Sequence, residues 1–211
     1  MLNLAFMEVD QEKAALEEMA ANSYCNFHAP GVDYLCLHRS AAMTVKAYFF
    51  DRMADGGQPA HPHNHRYDFY TQVLSGTCSH TRFRICDPTD PSPFKRAYRR
   101  RNWWSPLMDQ GRAGWDGRTF ADEVKLSPMH EEWMPGEGYF VSANEIHDIE
   151  VRPDTVLLIT QFPNRIPREL PTSTYFPMGE VSQPDLSGLY AKMTTGECAA
   201  RYGQIMDLLN G

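Results

Sequence analysis

The residues best suited to chemistry in this chain are three alternating histidines within residues 60–76. His61, His63 and His65 are separated by single residues, and side chains two apart on an extended strand point to the same face. Imidazole is a common metal ligand near neutral pH, so three on one face could supply most of a metal site. The alternative is a polar, histidine-rich loop in which the histidines serve only solubility.

The residues that follow favour the metal site. Tyr67, Phe69, Thr71 and Val73 continue the alternating face of the histidines, and most of them are apolar. Such a face is expected to be buried, because apolar side chains on one side of a strand pack into a core. Ligands at the head of a buried face predict a pocket.

The composition of the chain limits the class of protein and the kinds of partner that are expected. The chain has 211 residues, of which 42% are hydrophobic, and its formal net charge of −7 argues against nucleic acid or an anionic membrane as the main partner. No apolar run approaches membrane-spanning length, and the first residues lack a basic start followed by a continuous apolar core, so neither a membrane span nor a secretion leader is expected. The five cysteines, an odd number without paired spacing, favour reduced thiols and a cytoplasmic location.

Helical patterns are expected only near the ends of the chain. A helix is predicted from about residue 10 to residue 22, and a second, amphipathic one near residues 197–209. Between them, six to eight short strands bounded by turn residues indicate a small antiparallel barrel or jelly roll. The chain is expected to form a single domain over residues 1–211, with its barrel core at about 34–162 and a C-terminal tail and helix over 163–211.

Two strand pairs are predicted as hairpins. Residues 34–40 and 43–51 alternate in aromatic and β-branched residues around a short turn. Residues 77–86 alternate again and are expected to be the return strand of a hairpin that turns at Ser75 and Gly76.

The faces of the 77–86 strand differ in chemistry. His80, Arg82 and Arg84 share one face, and an exposed polar face is the favoured interpretation. If this face were internal, its guanidiniums could clamp a carboxylate near the metal. The irregular segment 87–122 is interpreted as a lid over the pocket or as a structural excursion.

The first histidine stretch resembles the first sequence motif of the cupin superfamily. That motif has two histidines one residue apart, then an acidic ligand, and a glycine after six further residues. Counting back from Gly76 places Phe69 at the acidic position and His63 and His65 at the histidine positions. The acidic ligand is therefore missing from its usual place.

A second stretch, residues 133–151, resembles the second cupin motif in its spacing. Gly136 and His147 occupy the glycine and ligand-histidine positions, while Ser142 and Asn144 replace the motif's proline and glycine. The two matches together cover roughly residues 45–162.

The resemblance implies an all-β fold, the cupin double-stranded β-helix or jelly-roll barrel, with helices at the N- and C-terminal ends. It also implies that His63, His65 and His147 bind one divalent metal inside the barrel. Without the acidic ligand, such a site is similar to those of three-histidine non-haem iron dioxygenases such as the thiol dioxygenases.

His61 and Asp68 remain as extra ligand candidates. Asp68 could supply an oxygen if a bulge turns it inward. It would also fit the motif if His61 and His63 were the histidine pair, although Gly76 would then fall one residue late.

Candidate catalytic groups are Tyr67, Arg82 and Tyr139, although for the tyrosines aromatic core packing is the commoner role. Cys78 follows the motif glycine closely, and a buried structural thiol is favoured for it.

The resemblance implies a mononuclear metal-dependent enzyme. The first hypothesis is a non-haem Fe(II) dioxygenase that acts on a small polar molecule bearing a carboxylate or thiol, with O₂ as the second partner. The second is a redox-neutral isomerase, lyase or decarboxylase that uses Zn, Ni or Mn as a Lewis acid. The third is a small-molecule-binding cupin without chemistry. The oligomeric state stays open between a monomer and a homodimer.

Overall fold

The structure, a computed structural model, describes residues 13–53, 61–87, 89, 96–103, 122–167, 169–179 and 188–210. The strands of these parts of the chain are β1 (Tyr24–Cys25), β2 (Asp33–Arg39), β3 (Thr44–Phe49), β4 (Tyr67–Ser75), β5 (Cys78–Cys86), β6 (Arg96–Trp103), β7 (Asp122–Trp133), β8 (Gly138–Val141), β9 (Ile146–Val151), β10 (Val156–Asn164), β11 (Thr172–Pro177) and β12 (Ala191–Lys192). The helices are α1, described over residues 13–21, and α2 (Thr195–Asn210).

The described strands form two antiparallel sheets. One has seven strands in the order β12-β1-β2-β3-β10-β4-β8, and the other has five in the order β11-β6-β7-β5-β9. From β7 to β12, successive strands alternate between the two sheets, so the chain winds around one shared interior as a jelly roll does. The predicted all-β double-stranded β-helix with helices towards both ends is therefore confirmed.

The interior between the sheets is apolar around the alternating face of β4. Phe69 and Val73 of β4 pack with Val141 of β8, Leu157 of β10 and Cys78 of β5. These residues come from both sheets, so the face predicted to be buried is the one that joins the sheets.

The helices pack on the outer face of the seven-stranded sheet. Cys198 and Ile205 of α2 are seven residues apart, about two helical turns, and both pack against Leu35 and Phe49 of the sheet. Met19 of α1 packs against the same cluster. The structure describes α1 only from residue 13, so the start of the helix predicted at residue 10 lies outside the described residues.

One of the two predicted hairpins is confirmed and the other is wrong. β2 and β3 pair directly, with Tyr34 opposite Tyr48. β4 and β5, predicted as a hairpin around Gly76, instead lie in different sheets. Gly76 has a φ of 73°, and a Cβ there would lie 2.4 Å from the Thr155 Oγ1, so the crossing between sheets requires glycine. Alternation and a turn signal are common to both arrangements, which is why the sequence did not distinguish them.

Two segments predicted to lack strands contain them. β6 lies inside the predicted irregular segment, and β11, inside the predicted tail, pairs with β6 along its length. β6 was hard to predict because it contains the run Arg99-Arg100-Arg101, and arginines are unusual in a strand unless they find partners. In the structure, Arg100 donates to both Asp122 carboxylate oxygens at 2.7 Å. The central part of the proposed lid, residues 104–121, lies outside the described residues.

All five cysteines are free thiols. In the described parts of the chain, no helix combines the length and apolarity needed to cross a membrane.

A buried ion network attaches α2 to the sheet. Arg201 donates from Nη2 to the Asp33 Oδ2 at 2.6 Å and from Nη1 to the Asp51 Oδ2 at 2.6 Å. The Asp33 side chain is only 4% exposed, so its carboxylate depends on such partners. Burial acts to raise the pKa of Asp51, but hydrogen bonds and charge from Arg201 hold it below its usual value.

We expect Arg201→Ala to lower the free energy of unfolding by about 3 kcal/mol, because breaking a buried ion pair leaves an unpaired charge behind. Urea denaturation measures this change. Asp207→Ala, on an exposed part of the same helix, should stay within about 0.5 kcal/mol of the wild type. If the two variants were equally stable, the network would contribute nothing.

Candidate metal centre

The histidine segment is held in place by backbone hydrogen bonds rather than by a regular strand. β4 begins only at Tyr67, while His63 forms bridges with His147 of β9 and with Thr174 of β11. The amides of His63 and His147 each donate to the other residue's carbonyl at 2.9 Å. β9 and β11 are the edges of the five-stranded sheet, so the segment lies against both edges.

This pairing brings three imidazoles together. Ligand nitrogens of His63, His65 and His147, the three-histidine cluster, all lie within 4.8 Å of one another. The Nε2 atoms of His65 and His147 are 3.0 Å apart. Two nitrogens that bind one metal at right angles with bonds of 2.0–2.1 Å would also be about 3.0 Å apart, so the residues fit a divalent metal.

The protonation states of the cluster suit metal binding. Burial lowers the pKa of His63, and burial together with the charge of His63 lowers the pKa values of His65 and His147 well below the ordinary histidine value. At neutral pH the rings are therefore uncharged, and each keeps a lone pair for a ligand bond. His63 Nδ1 lies 2.8 Å from the His61 carbonyl, which accepts its proton and leaves Nε2 as the ligand atom.

A second pair of residues orients His147. His80 Nε2 lies 3.1 Å from His147 Nδ1, and His80 Nδ1 lies 3.4 Å from the Glu131 carboxylate. Glu131 favours a proton on His80 Nδ1, so His80 Nε2 accepts from the His147 Nδ1–H. His147 Nε2 is then left with its lone pair facing His65.

His80 is fully buried and stacks on the Tyr139 ring at a centroid distance of 4.2 Å. Burial, followed by the charge of Arg82, lowers the pKa of His80 to about 4, so it stays neutral near pH 7. The sequence did not identify His80 as part of the site. The available signal was its place on the same face as Cys78, which is fully buried.

The expectation that the face of His80, Arg82 and Arg84 is exposed holds for Arg84 only. His80 is fully buried and Arg82 is half-buried, and their polar groups are tolerated because neighbouring strands provide partners. Arg82 pairs with Glu131 at 3.0 Å and with Glu145 at 3.1 Å, and it also donates to the Phe140 carbonyl. Its guanidinium is thus committed to these partners and is not a free carboxylate clamp.

Asp68 lies outside the cluster. Its Oδ1 accepts from the Ala143 amide at 2.8 Å, and its Oδ2 accepts from Arg165 Nη1 at 2.7 Å. Burial acts to raise its pKa, but the Arg165 hydrogen bond keeps the pKa below its usual value. The carboxylate therefore holds the turn that leads into β9.

The remaining candidates occupy different positions around the cluster. The His61 ring packs 4.7 Å from that of Phe176 and does not join the cluster. The Tyr67 ring lies 5.1 Å from that of His65. Tyr139 is buried, with its hydroxyl 3.6 Å from the Cys78 Sγ. Cys78 is a buried thiol whose pKa burial raises to about 11, which is a structural environment.

A cavity of about 490 Å³ is lined in part by Tyr67, whose ring lies 5.1 Å from that of His65. Its polar lining includes Lys46 of β3, Gln161 of β10 and, at the edge, Arg39 of β2. Sequence reasoning missed all three. Lys46 alternates with Tyr48 along β3, which was the one pattern that could have placed it inside the barrel.

Comparisons with known proteins find likeness in structure only. No protein-family model and no curated protein matches the sequence. KdgF from Halomonas sp. is 14% identical, with 64% of this chain and 83% of that chain covered and a TM-score of 0.35. An RmlC-like cupin from Shewanella frigidimarina is 14% identical, with 69% and 87% covered and a TM-score of 0.36. Streptomyces albus HEPD, with 2-hydroxyethylphosphonate and Fe(II) bound, is 14% identical, with 65% and 22% covered and a TM-score of 0.37.

The structural neighbours thus include cupin-superfamily proteins. Likeness at these TM-scores does not transfer a reaction or a substrate to this chain. The sheets and the cluster by themselves define the class: a jelly-roll protein with three converging histidines in its interior. Metal ligation by the cluster and the resemblance to thiol dioxygenases stay predictions.

We expect the purified protein to carry about one metal ion per chain, because the described residues form one such ligand set. His63→Ala, His65→Ala and His147→Ala should each lose most of it, as measured by elemental analysis of the folded protein. His38→Ala, at an exposed position on β2, is the matched control and should keep the wild-type content. Full metal content in His147→Ala would contradict the assignment.

We expect Asp68→Ala to lower the free energy of unfolding by about 1–3 kcal/mol, because the buried Ala143 amide loses its acceptor. Its metal content per folded chain should be unchanged. Asp68→Asn keeps an oxygen for that amide and should be destabilised less. Loss of metal from both variants while they remain folded would make Asp68 a ligand.

Proposed function

We propose that this protein is a mononuclear, metal-dependent enzyme of the cupin type, and specifically a non-haem Fe(II) dioxygenase that acts on a small polar organic molecule. The observation that carries the proposal is the convergence of three neutral imidazoles without a carboxylate among them. A bound Fe(II) would supply open coordination positions at which substrate and O₂ can meet.

Three carboxylates in the neighbourhood of the cluster are engaged with other partners. Asp68 accepts from Ala143 and Arg165, and Glu131 and Glu145 pair with Arg82. None of these acids belongs to the cluster formed within the described residues. A neutral ligand shell favours an anionic substrate, because the cluster found among the described residues contains no carboxylate to compete with it for the metal.

The surrounding side chains are suited to positioning a substrate and excluding water. Phe69 packs edge-on against the His65 ring at a centroid distance of 5.0 Å, which limits ring rotation. Burial raises the pKa of Tyr67 to about 12, so its phenol stays protonated and can donate a hydrogen bond to an oxygen of the substrate. Glu131 and His80 hold His147 in the tautomer that binds a metal.

The test is to remove the metal and reconstitute the protein anaerobically with Fe(II), Zn(II), Ni(II) or Mn(II), followed by a screen of small carboxylic acids and thiols. We expect turnover accompanied by oxygen uptake with Fe(II) only. His147→Ala loaded in the same way is the inactive control. Equal turnover with Zn(II) under nitrogen would reject the dioxygenase and establish a redox-neutral isomerase, lyase or decarboxylase in its place.

A further inference from the structure

Most of the residues that line the cavity beside Tyr67 belong to the seven-stranded sheet. Lys46 of β3, Gln161 of β10 and Tyr67 of β4 line it from the seven-stranded sheet. Two further rings in its wall are those of Tyr24, in β1, and Tyr190, which directly precedes β12. A volume of about 490 Å³ is within the usual range of small-molecule sites.

Two cations face this cavity, one deep and one at its edge. Lys46 is only 5% exposed, and its Nζ donates to the Gln161 Oε1 at 2.8 Å. Arg39 is exposed, and its Nη2 donates to the Tyr34 hydroxyl at 3.1 Å. Within the part of the chain that the structure describes, neither cation forms an ion pair with a carboxylate. The hydrogen-bond acceptors of the two cations, Gln161 and Tyr34, are both neutral.

Aromatic rings supply the rest of the environment of Lys46. Its Nζ lies 5.6 Å from the Tyr34 ring centroid, 5.7 Å from that of Tyr48 and 5.3 Å from that of Tyr67. Cation–π attraction stabilises the ammonium in part, but it does not neutralise the charge. Of these rings, Tyr34 and Tyr67 also line the cavity and give it aromatic surface.

A buried ammonium without a counter-ion is costly to the folded state. Burial, followed by the charge of Arg39, lowers the pKa of Lys46 to about 8, so most of the side chain is still charged at pH 7. The fold therefore retains a positive charge at a cost in stability. Such a charge is typical of a ligand site, where binding supplies the missing partner.

We propose that this cavity binds a small organic acid, with its anionic group between Lys46 and Arg39 and a flat or apolar body against the tyrosines. A neutral ligand of the same shape would leave both cations without a counter-charge. The cavity thus selects for charge through the cations and for shape through the rings.

This inference deepens the proposed function and rests on it only in making the acid the substrate. Tyr67 is the shared wall, since it lines the cavity and lies beside His65. An acid held by Lys46 would therefore extend towards the cluster. Binding itself does not require a metal, so binding and turnover can be tested separately.

The experiment is a calorimetric titration of the full chain with 3-phenylpropionate and with its neutral isostere 3-phenylpropanamide. We expect the acid to bind at least about tenfold more tightly than the amide, because only the acid supplies a charge-assisted hydrogen bond to the cations. Lys46→Met, which keeps the unbranched stem, should reduce this preference at least about tenfold. Lys125→Met, at an exposed position on β7, should leave it unchanged.

Two further measurements exclude a merely structural role for Lys46. Lys46→Met should raise the melting temperature of the ligand-free protein, because it removes a buried charge without a counter-ion, whereas a structural cation would make the variant less stable. Arg39→Met, at the edge of the cavity, tests the acid preference independently of Lys46 and should reduce it as well.

The His63→Ala variant separates the cavity from the cluster. It should bind 3-phenylpropionate as the wild type does while failing to retain metal. Loss of acid binding in His63→Ala, with full binding in Lys46→Met, would place the anion at the cluster and overturn the proposal. Equal affinity of the wild type for the acid and the amide would also overturn it. If the wild-type protein binds the acid as expected but carries no metal, the proposed function is refuted and this inference stands.

Discussion

The reciprocal backbone pairing of His63 with His147 is the constraint on which the site depends. The two amide–carbonyl hydrogen bonds join residues 84 positions apart and fix both ligand side chains relative to one backbone frame. His63 also bridges Thr174, so the segment lies between β9 and β11. Two sheets that wind around one interior are what bring these edges close enough to pair.

Charged groups inside this barrel differ in whether other side chains of the protein compensate their charge. Around the cluster, Glu131 and Glu145 compensate the charge of Arg82, and the Glu131 carboxylate also lies 3.4 Å from His80 Nδ1, so the charges there have partners within the protein. In the cavity, Lys46 has neutral partners only among the described residues. The first arrangement gives rigidity to the metal ligands, and the second leaves an interaction for a ligand to complete.

The alternation of apolar and polar residues could be recognised in the sequence wherever a strand buries one apolar face. The Phe69 and Val73 face of β4, the pairing of β2 with β3 and the terminal helices all follow from local patterns of apolar residues. The spacing around His63, His65 and His147 was informative in the same way. The alternation of His63 and His65 reflects the period of an extended chain, whereas His147 could be assigned only through its resemblance to the second cupin motif.

Only the tertiary structure decided which polar faces turn inward and which strands are neighbours. A strand carrying His80 and Arg82 has the same local pattern whether it faces water or Glu131 and Glu145 on other strands. Gly76 permits either a hairpin or a crossing between sheets, and only the sheet order shows the crossing, in which Thr155 leaves no room for a Cβ at this position. The sequence by itself determined the residue types and their period along each strand. Compensation between residues distant in the chain is a property of the packed sheets, because hydrogen bonds and ion pairs act over a few ångströms of space rather than along the chain.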